Sequence, residues 1–256
     1  MNADLVYVHL ETVSNLILSY GISTRDFASA LKRFPNHLLL LPPVDPDAAL
    51  DTHTGFNTVS GTEEIQTYFS DKRKIARKWL DFRQSLYLEQ LTPQEIAELL
   101  YLGHANTHLA SPFYYKLQND YVYLSLPDQM VKTYYRHLDH FYKVLNHSLK
   151  RHLQEKIPDT WFLFRRRASV ADIDPVILRQ LQPVFIDGAL FAFQEVGLRQ
   201  REIHIPIYYL NSRLKIVDDE WLNASQEKVA ELVYDQSVQK WRLSVINESI
   251  FAQNLF

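Results

Sequence analysis

The 256-residue chain predicts an α+β fold, with a helix-rich N-terminal part followed by a mainly antiparallel sheet in the C-terminal part. Two observations carry that expectation. Before Pro158, apolar residues recur at three- and four-residue intervals; from Trp161 onward they come in short runs separated by turn-forming residues. Residues 1–157 are therefore read as a helix-rich region with one small hairpin. Residues 158–256 are read as an antiparallel β-rich region, and the two are expected to pack as one compact unit.

Leu5–Tyr20 is apolar enough for a core helix, although Val6, Val8, Thr12 and Val13 leave a strand open at its start. Gly21 interrupts it. Thr24–Phe34 follows as a short helix with Phe27, Ala30, Leu31 and Phe34 on one face, and Pro35 ends it. Apart from a short strand at Leu38–Leu41, residues 35–62 read as a long connection rich in proline and glycine. Thr62–Gln90 reads as a long helix, with Tyr68, Ile75, Trp79, Phe82 and Leu86 in one arc. The next helix carries its own punctuation. Thr92 is the N-cap, Pro93 takes the first helical position, Glu95 completes a capping box and Gly103 turns the chain out. Tyr114–Leu117 and Tyr121–Leu126 form the predicted hairpin, turning at Asn119-Asp120.

Val131–Leu149 fits a long amphipathic helix. Val131, Tyr134, Tyr135, Leu138, Phe141, Tyr142, Leu145 and Leu149 fall on one face, and Lys132, Arg136, His140, Lys143, His147 and Lys150 on the other. Beyond Pro158 the predicted strands are Trp161–Arg167, Val184–Phe193, Glu202–Leu210, Leu214–Val217, Val229–Tyr234 and Trp241–Ile246. Asn211-Ser212 and Asp235–Gln239 have the composition of hairpin turns, and a helix over Pro175–Leu181 starts from Asp172 and Asp174.

Composition limits function. A net charge of −3 and a pI near 6.4 argue against a protein devoted to coating nucleic acid or anionic membrane. Absence of cysteine excludes disulfides, thiolate zinc sites and cysteine nucleophiles. No basic-plus-apolar leader and no apolar run of membrane-spanning length is seen, so the expected location is the cytoplasm, without membrane association. Walker A, GxGxxG, GxSxG and HExxH patterns are all missing. Arg165–Arg167 lies in a strand-like run whose alternation sends Arg166 to the opposite face, which rules out one clamp using all three.

Residues 13–34 resemble the helix-turn-helix pattern. Ser19-Tyr20-Gly21-Ile22-Ser23 supplies a turn with a central glycine, and Phe27 follows where a second helix would pack on the first. Ile17 stands where that pattern usually has a small residue. The resemblance implies a DNA-binding regulator, with Arg25, Ser29, Lys32 and Arg33 facing the groove.

Two other constellations bear on chemistry. His104 and His108 have helical ligand spacing, but Gly103 ends the helix that would present them, and His140 and His147 stand two turns apart. No metal site and no cofactor is therefore predicted. Asp45, Asp47, Asp51 and His53 share the long loop and suggest a hydrolase-like enzyme, metal-dependent or not. Turn and cap chemistry accounts for the same residues. The leading expectation is a non-catalytic intracellular binding or regulatory protein acting through a macromolecular partner. An acidic protein would meet the basic stripe of Arg136, His140, Lys143 and His147, and nucleic acid is the weaker alternative.

Overall fold

The computed structural model describes residues 4–31, 35–42, 48–71, 77–104, 112–156, 170–210 and 227–252. Strands open the chain: β1 (Leu5–Glu11) and β2 (Leu16–Tyr20) are joined by a turn in which Asn15 takes a φ of 52°. The expected helix-rich N-terminal part is thereby corrected. The molecule is mixed but sheet-dominated, with thirteen strands among the described residues and antiparallel pairings. The cause of the misreading is local. β1 is buried on both faces from Leu5 to Val8, so it lacks the alternation that separates a half-buried strand from a helix.

The remaining elements follow in order: α1 (Thr24–Ala30), β3 (His37–Leu40), β4 (Ala49–Leu50), β5 (Asn57–Ser60), α2 (Thr62–Ser70), β6 (Lys78–Phe82), α3 (Pro93–Leu102), β7 (Tyr121–Ser125), β8 (Val131–Tyr135) and α4 (Leu138–Lys156). They are followed by α5 (Pro175–Gln180), α6 (Gln182–Asp187), β9 (Ala189–Ala192), β10 (Gly197–Arg199), β11 (Glu202–Tyr209), β12 (Lys228–Asp235), β13 (Lys240–Val245) and α7 (Glu248–Ala252).

Five further expectations change. The connection 35–62 holds, besides the expected strand (β3), two further strands, β4 and β5. The long helix expected over Thr62–Gln90 ends at Ser70, and Trp79 and Phe82 belong to β6. The helix expected from Val131 begins at Leu138, because Val131–Tyr135 is a strand buried at all five positions, Lys132 and Thr133 included. A strand buried on both sides satisfies the 0, 3, 4 spacing of a helix by accident. The hairpin pairs β7 with β8 rather than with Tyr114–Leu117, and Val184–Phe193 divides into α6 and β9. The capping box at Thr92 and the positions of β11, β12 and β13 agree with the sequence reading. Trp161–Arg167, Leu214–Val217 and Asn211-Ser212 lie outside the described residues.

The chain forms two units. One comprises Glu11–Leu18 and Phe27–Phe141, the other Met1–Leu10, Ser19–Asp26 and Tyr142–Phe256. In the 27–141 unit the strand order is β8-β7-β6-β3-β5-β4. Its core is aromatic: the Phe27 ring meets Trp79 at 5.2 Å and Tyr121 at 5.0 Å edge-on, while Trp79 stacks on Tyr123 at 5.4 Å. Truncating a fully buried ring of this kind costs about 3–5 kcal/mol.

In the 142–256 unit the order is β13-β12-β11-β9-β1, and β10 pairs with β11. Ile203, Ile205 and Ile207 fill the buried face of β11. Gly188 enters β9 at a φ of 107°, and a Cβ there would stand 2.2 Å from the Leu210 carbonyl oxygen.

Candidate functional site

The feature best suited to binding in the 27–141 unit lies where β6, β7 and β8 end together. The β6–β7 ladder stops at Leu80↔Val122, and one residue later a side chain takes over its work. Asp81 accepts hydrogen bonds from the backbone N–H groups of Tyr121 (2.7 Å) and Asp120 (2.9 Å). Its carboxyl is almost wholly buried. Burial pushes it up to about 7, the Tyr121 amide opposes that shift, and the charge of Asp120 adds to it.

From the β8 side, the Arg136 amide donates to the Asp120 carbonyl at 2.9 Å. Arg136 then turns its side chain back over the same loop. Nε and Nη2 donate to the Asn119 carbonyl at 2.9 and 2.6 Å, Nε lies 3.2 Å from the Asp120 carboxylate, and the guanidinium covers the Phe113 ring at 4.8 Å. Asn119 is fully buried and staples its own loop, accepting from the Tyr114 amide and donating to the Pro112 carbonyl. Gln118 reaches this turn with a φ of 50°.

Arg136, Arg83, Asp120, His137, Gln118 and Tyr115 line an open cavity of about 240 Å³. Arg83 lies 3.6 Å from Asp120 with a side chain 60% exposed, so its charge faces water. The Tyr115 ring is 92% exposed, which is unusual for so large an aromatic and suits a contact surface. Below the rim, Tyr121 shares a hydrogen bond with Nδ1 of His140 at 2.7 Å. Burial, with Asp81 and Asp120 nearby, pushes that phenol upward, so it stays neutral. The arrangement offers two guanidinium groups around one carboxylate, with one guanidinium fixed in orientation.

The 142–256 unit uses the same ion pair differently. Asp26, fully buried, accepts Nε and Nη2 of Arg151 at 2.7 and 2.9 Å. It also accepts the Ser23 amide and hydroxyl at 2.9 and 2.8 Å, closing a capping box at the start of α1. Burial would raise the Asp26 carboxyl, but Arg151 and the Ser23 donors outweigh it and hold the group below the ordinary carboxylate range. Arg151 Nη2, Ser148 and His152 all meet the Gly21 carbonyl oxygen, at 3.1, 3.3 and 2.8 Å. This cluster ties α4 to the Gly21–Asp26 segment. It presents no open face. On β11 and β12, His204 places Nδ1 2.7 Å and Nε2 3.5 Å from the carboxylates of Glu231 and Glu202, which Lys228 and Arg242 answer in turn.

The residues expected from the sequence distribute as follows. Arg136 and His140 belong to the 27–141 unit, where Arg136 lines the cavity and His140 meets the Tyr121 hydroxyl. Lys143 and His147 belong to the other unit, where Lys143 is exposed and His147 stands 3.9 Å from Asp26. Burial depresses the His147 imidazole; Asp26 opposes this, and Arg151, Lys150 and Arg25 add to it. The basic stripe is thus not one helical face. Arg136 precedes α4 rather than lying on it.

For the helix-turn-helix pattern, Leu16–Tyr20 is β2, so the first helix is not formed. Arg25 and Ser29 are exposed on α1, and Lys32 and Arg33 lie outside the described residues. Asp51 accepts the Thr54 amide and hydroxyl at 2.8 and 2.6 Å, which is turn chemistry, and His53 contacts the Leu91 carbonyl at 3.0 Å. Asp45, Asp47 and His108 lie outside the described residues. Asp172 pairs with Lys150 at 2.5 Å rather than starting a helix, while Asp174 does cap α5. Among the described residues no group of three or more metal-ligating side chains converges, and no helix is long and apolar enough to cross a membrane.

Two lining residues of the cavity are not singled out by the sequence: Arg83 falls within the expected long helix, and Asp120 within the expected hairpin turn. A usable signal existed for Asp26: Ser23-x-x-Asp26 has capping-box spacing. No family model, curated protein or solved structure matches this chain.

Proposed function

We propose that this chain is a binding protein that takes an acidic group of a macromolecular partner into the cavity at the ends of β6, β7 and β8. One observation carries the reading. The Arg136 guanidinium is fixed by the Asn119 carbonyl and Asp120 along one edge and by the Phe113 ring against its face, and it lines an open cavity with Arg83. A pre-oriented arginine loses little side-chain freedom on binding, which is where surface lysines lose most of their gain. Tyr115 adds an exposed ring for the stem of the bound group.

The reading keeps Arg136 from the basic stripe and adds Arg83; it has no use for Lys143 or His147. A fluorescein-labelled peptide of alternating glutamate and glycine, titrated at low salt, tests it. Wild type should bind, Arg83→Ala/Arg136→Ala should not, and added salt should weaken the complex. Equal binding by wild type and double variant would remove the cavity from the account.

A further inference from the structure

The same cavity discriminates among anions by charge, an inference that rests on the binding reading just given. We infer that its ligand is a carboxylate, an aspartate or glutamate side chain of a protein partner, and that the site disfavours a phosphorylated side chain.

Arg83 and Arg136 contribute two positive charges and Asp120 one negative, which leaves an excess of one positive charge with the His137 imidazole left out of the count. A carboxylate brings one negative charge and matches that excess. A phosphoryl group carries close to two at neutral pH and would leave the cavity with a net negative charge. It would also stand against Asp120, which already occupies both arginines at 3.6 and 3.2 Å. Repulsion between like charges in a partly desolvated site is stronger than in water.

Geometry points the same way. Nε and Nη2 of Arg136 are spent on the Asn119 carbonyl, and among the described residues Nη1 carries no hydrogen bond. The end-on edge formed by Nη1 and the outer hydrogen of Nη2 therefore remains, and it is planar and two-pronged like a carboxylate. A tetrahedral phosphoryl group would need a third donor to satisfy its remaining oxygen. The other guanidinium of the lining, Arg83, already shares its charge with Asp120 at 3.6 Å.

Three capped heptapeptides, identical except for a central glutamate, phosphoserine or glutamine, test the inference by NMR titration of the full ¹⁵N-labelled chain at pH 7.5. The glutamate peptide should bind at least about tenfold tighter than the phosphoserine peptide, equivalent to about 1.4 kcal/mol. The glutamine peptide should not bind. In Asp120→Asn, which adds one positive charge to the lining, the preference should shrink or reverse. A phosphoserine peptide bound more tightly by wild type would overturn the carboxylate assignment and leave the anion site standing. Absence of binding by both anionic peptides would overturn the site itself.

Discussion

Two arginine–aspartate pairs, one in each unit, show how identical groups come to different uses. Asp26 is closed: its carboxylate accepts four hydrogen bonds from Arg151 and Ser23 and has no exposed surface. Asp120 is open: it meets two arginines at longer distances, and Arg83 faces water. A saturated buried pair holds elements in place, and losing one partner strands a charge in a poor solvent. An unsaturated exposed pair adds little stability, but it leaves donors and charge for a visitor. The difference lies in the number of donors converging on the carboxylate, and the residue types alone do not reveal it.

The largest expected effect tests the closed pair. Asp26→Ala removes the buried carboxylate that Arg151 and Ser23 donate to and should cost about 3–5 kcal/mol in urea unfolding. A loss below about 1 kcal/mol would mean that the pair is dispensable and the contrast false. Next comes Arg136→Ala. It should lower affinity for the acidic peptide about tenfold or more while stability falls by about 1 kcal/mol, the net worth of an ordinary hydrogen bond. A reversed pattern, with a large stability loss and unchanged affinity, would make Arg136 structural.

The two units should also respond oppositely to pH. Asp26 titrates below its ordinary value of 3.8 when folded, so the unfolded chain binds more protons in that range and the stabilisation disappears as pH falls through it. Asp81 is pushed up to about 7, so between 3.8 and 7 the folded chain holds a proton that the unfolded chain releases. Its contribution is present at low pH and is lost as pH rises through that window. Asp81→Asn should therefore flatten the fall in stability between about pH 4 and 7, whereas Asp26→Asn should blunt acid unfolding. Parallel pH profiles for both variants would contradict this. The smallest effect belongs to Lys143→Ala, which should change stability by less than about 0.5 kcal/mol and leave peptide affinity alone.

Legibility in the sequence followed burial. Local devices were readable: Thr92-Pro93-x-Glu95 fixed the start of α3, and the turn over Asp235–Gln239 fixed the β12–β13 hairpin. β1 and β8 were not, because burial on both faces erases the period of two on which strand recognition depends. The error then spread, since reading Val131–Leu149 as one helix put Arg136 on a stripe with Lys143 and His147. Arg136 is thereby singled out through a helix to which it does not belong. Its neighbours Arg83 and Asp120 flank the paired strands β6 and β7, one just after Phe82 and one just before Tyr121, and no spacing along the chain encodes that juxtaposition.

The most direct measurement follows the arginine Nε–Hε resonances of Arg136 and Arg151 by ¹⁵N NMR while the glutamate peptide is added. The account predicts that the Arg136 signal moves with saturation and that the Arg151 signal stays fixed. Movement at Arg151 with a silent Arg136 would show that the closed pair, and not the open one, receives the ligand.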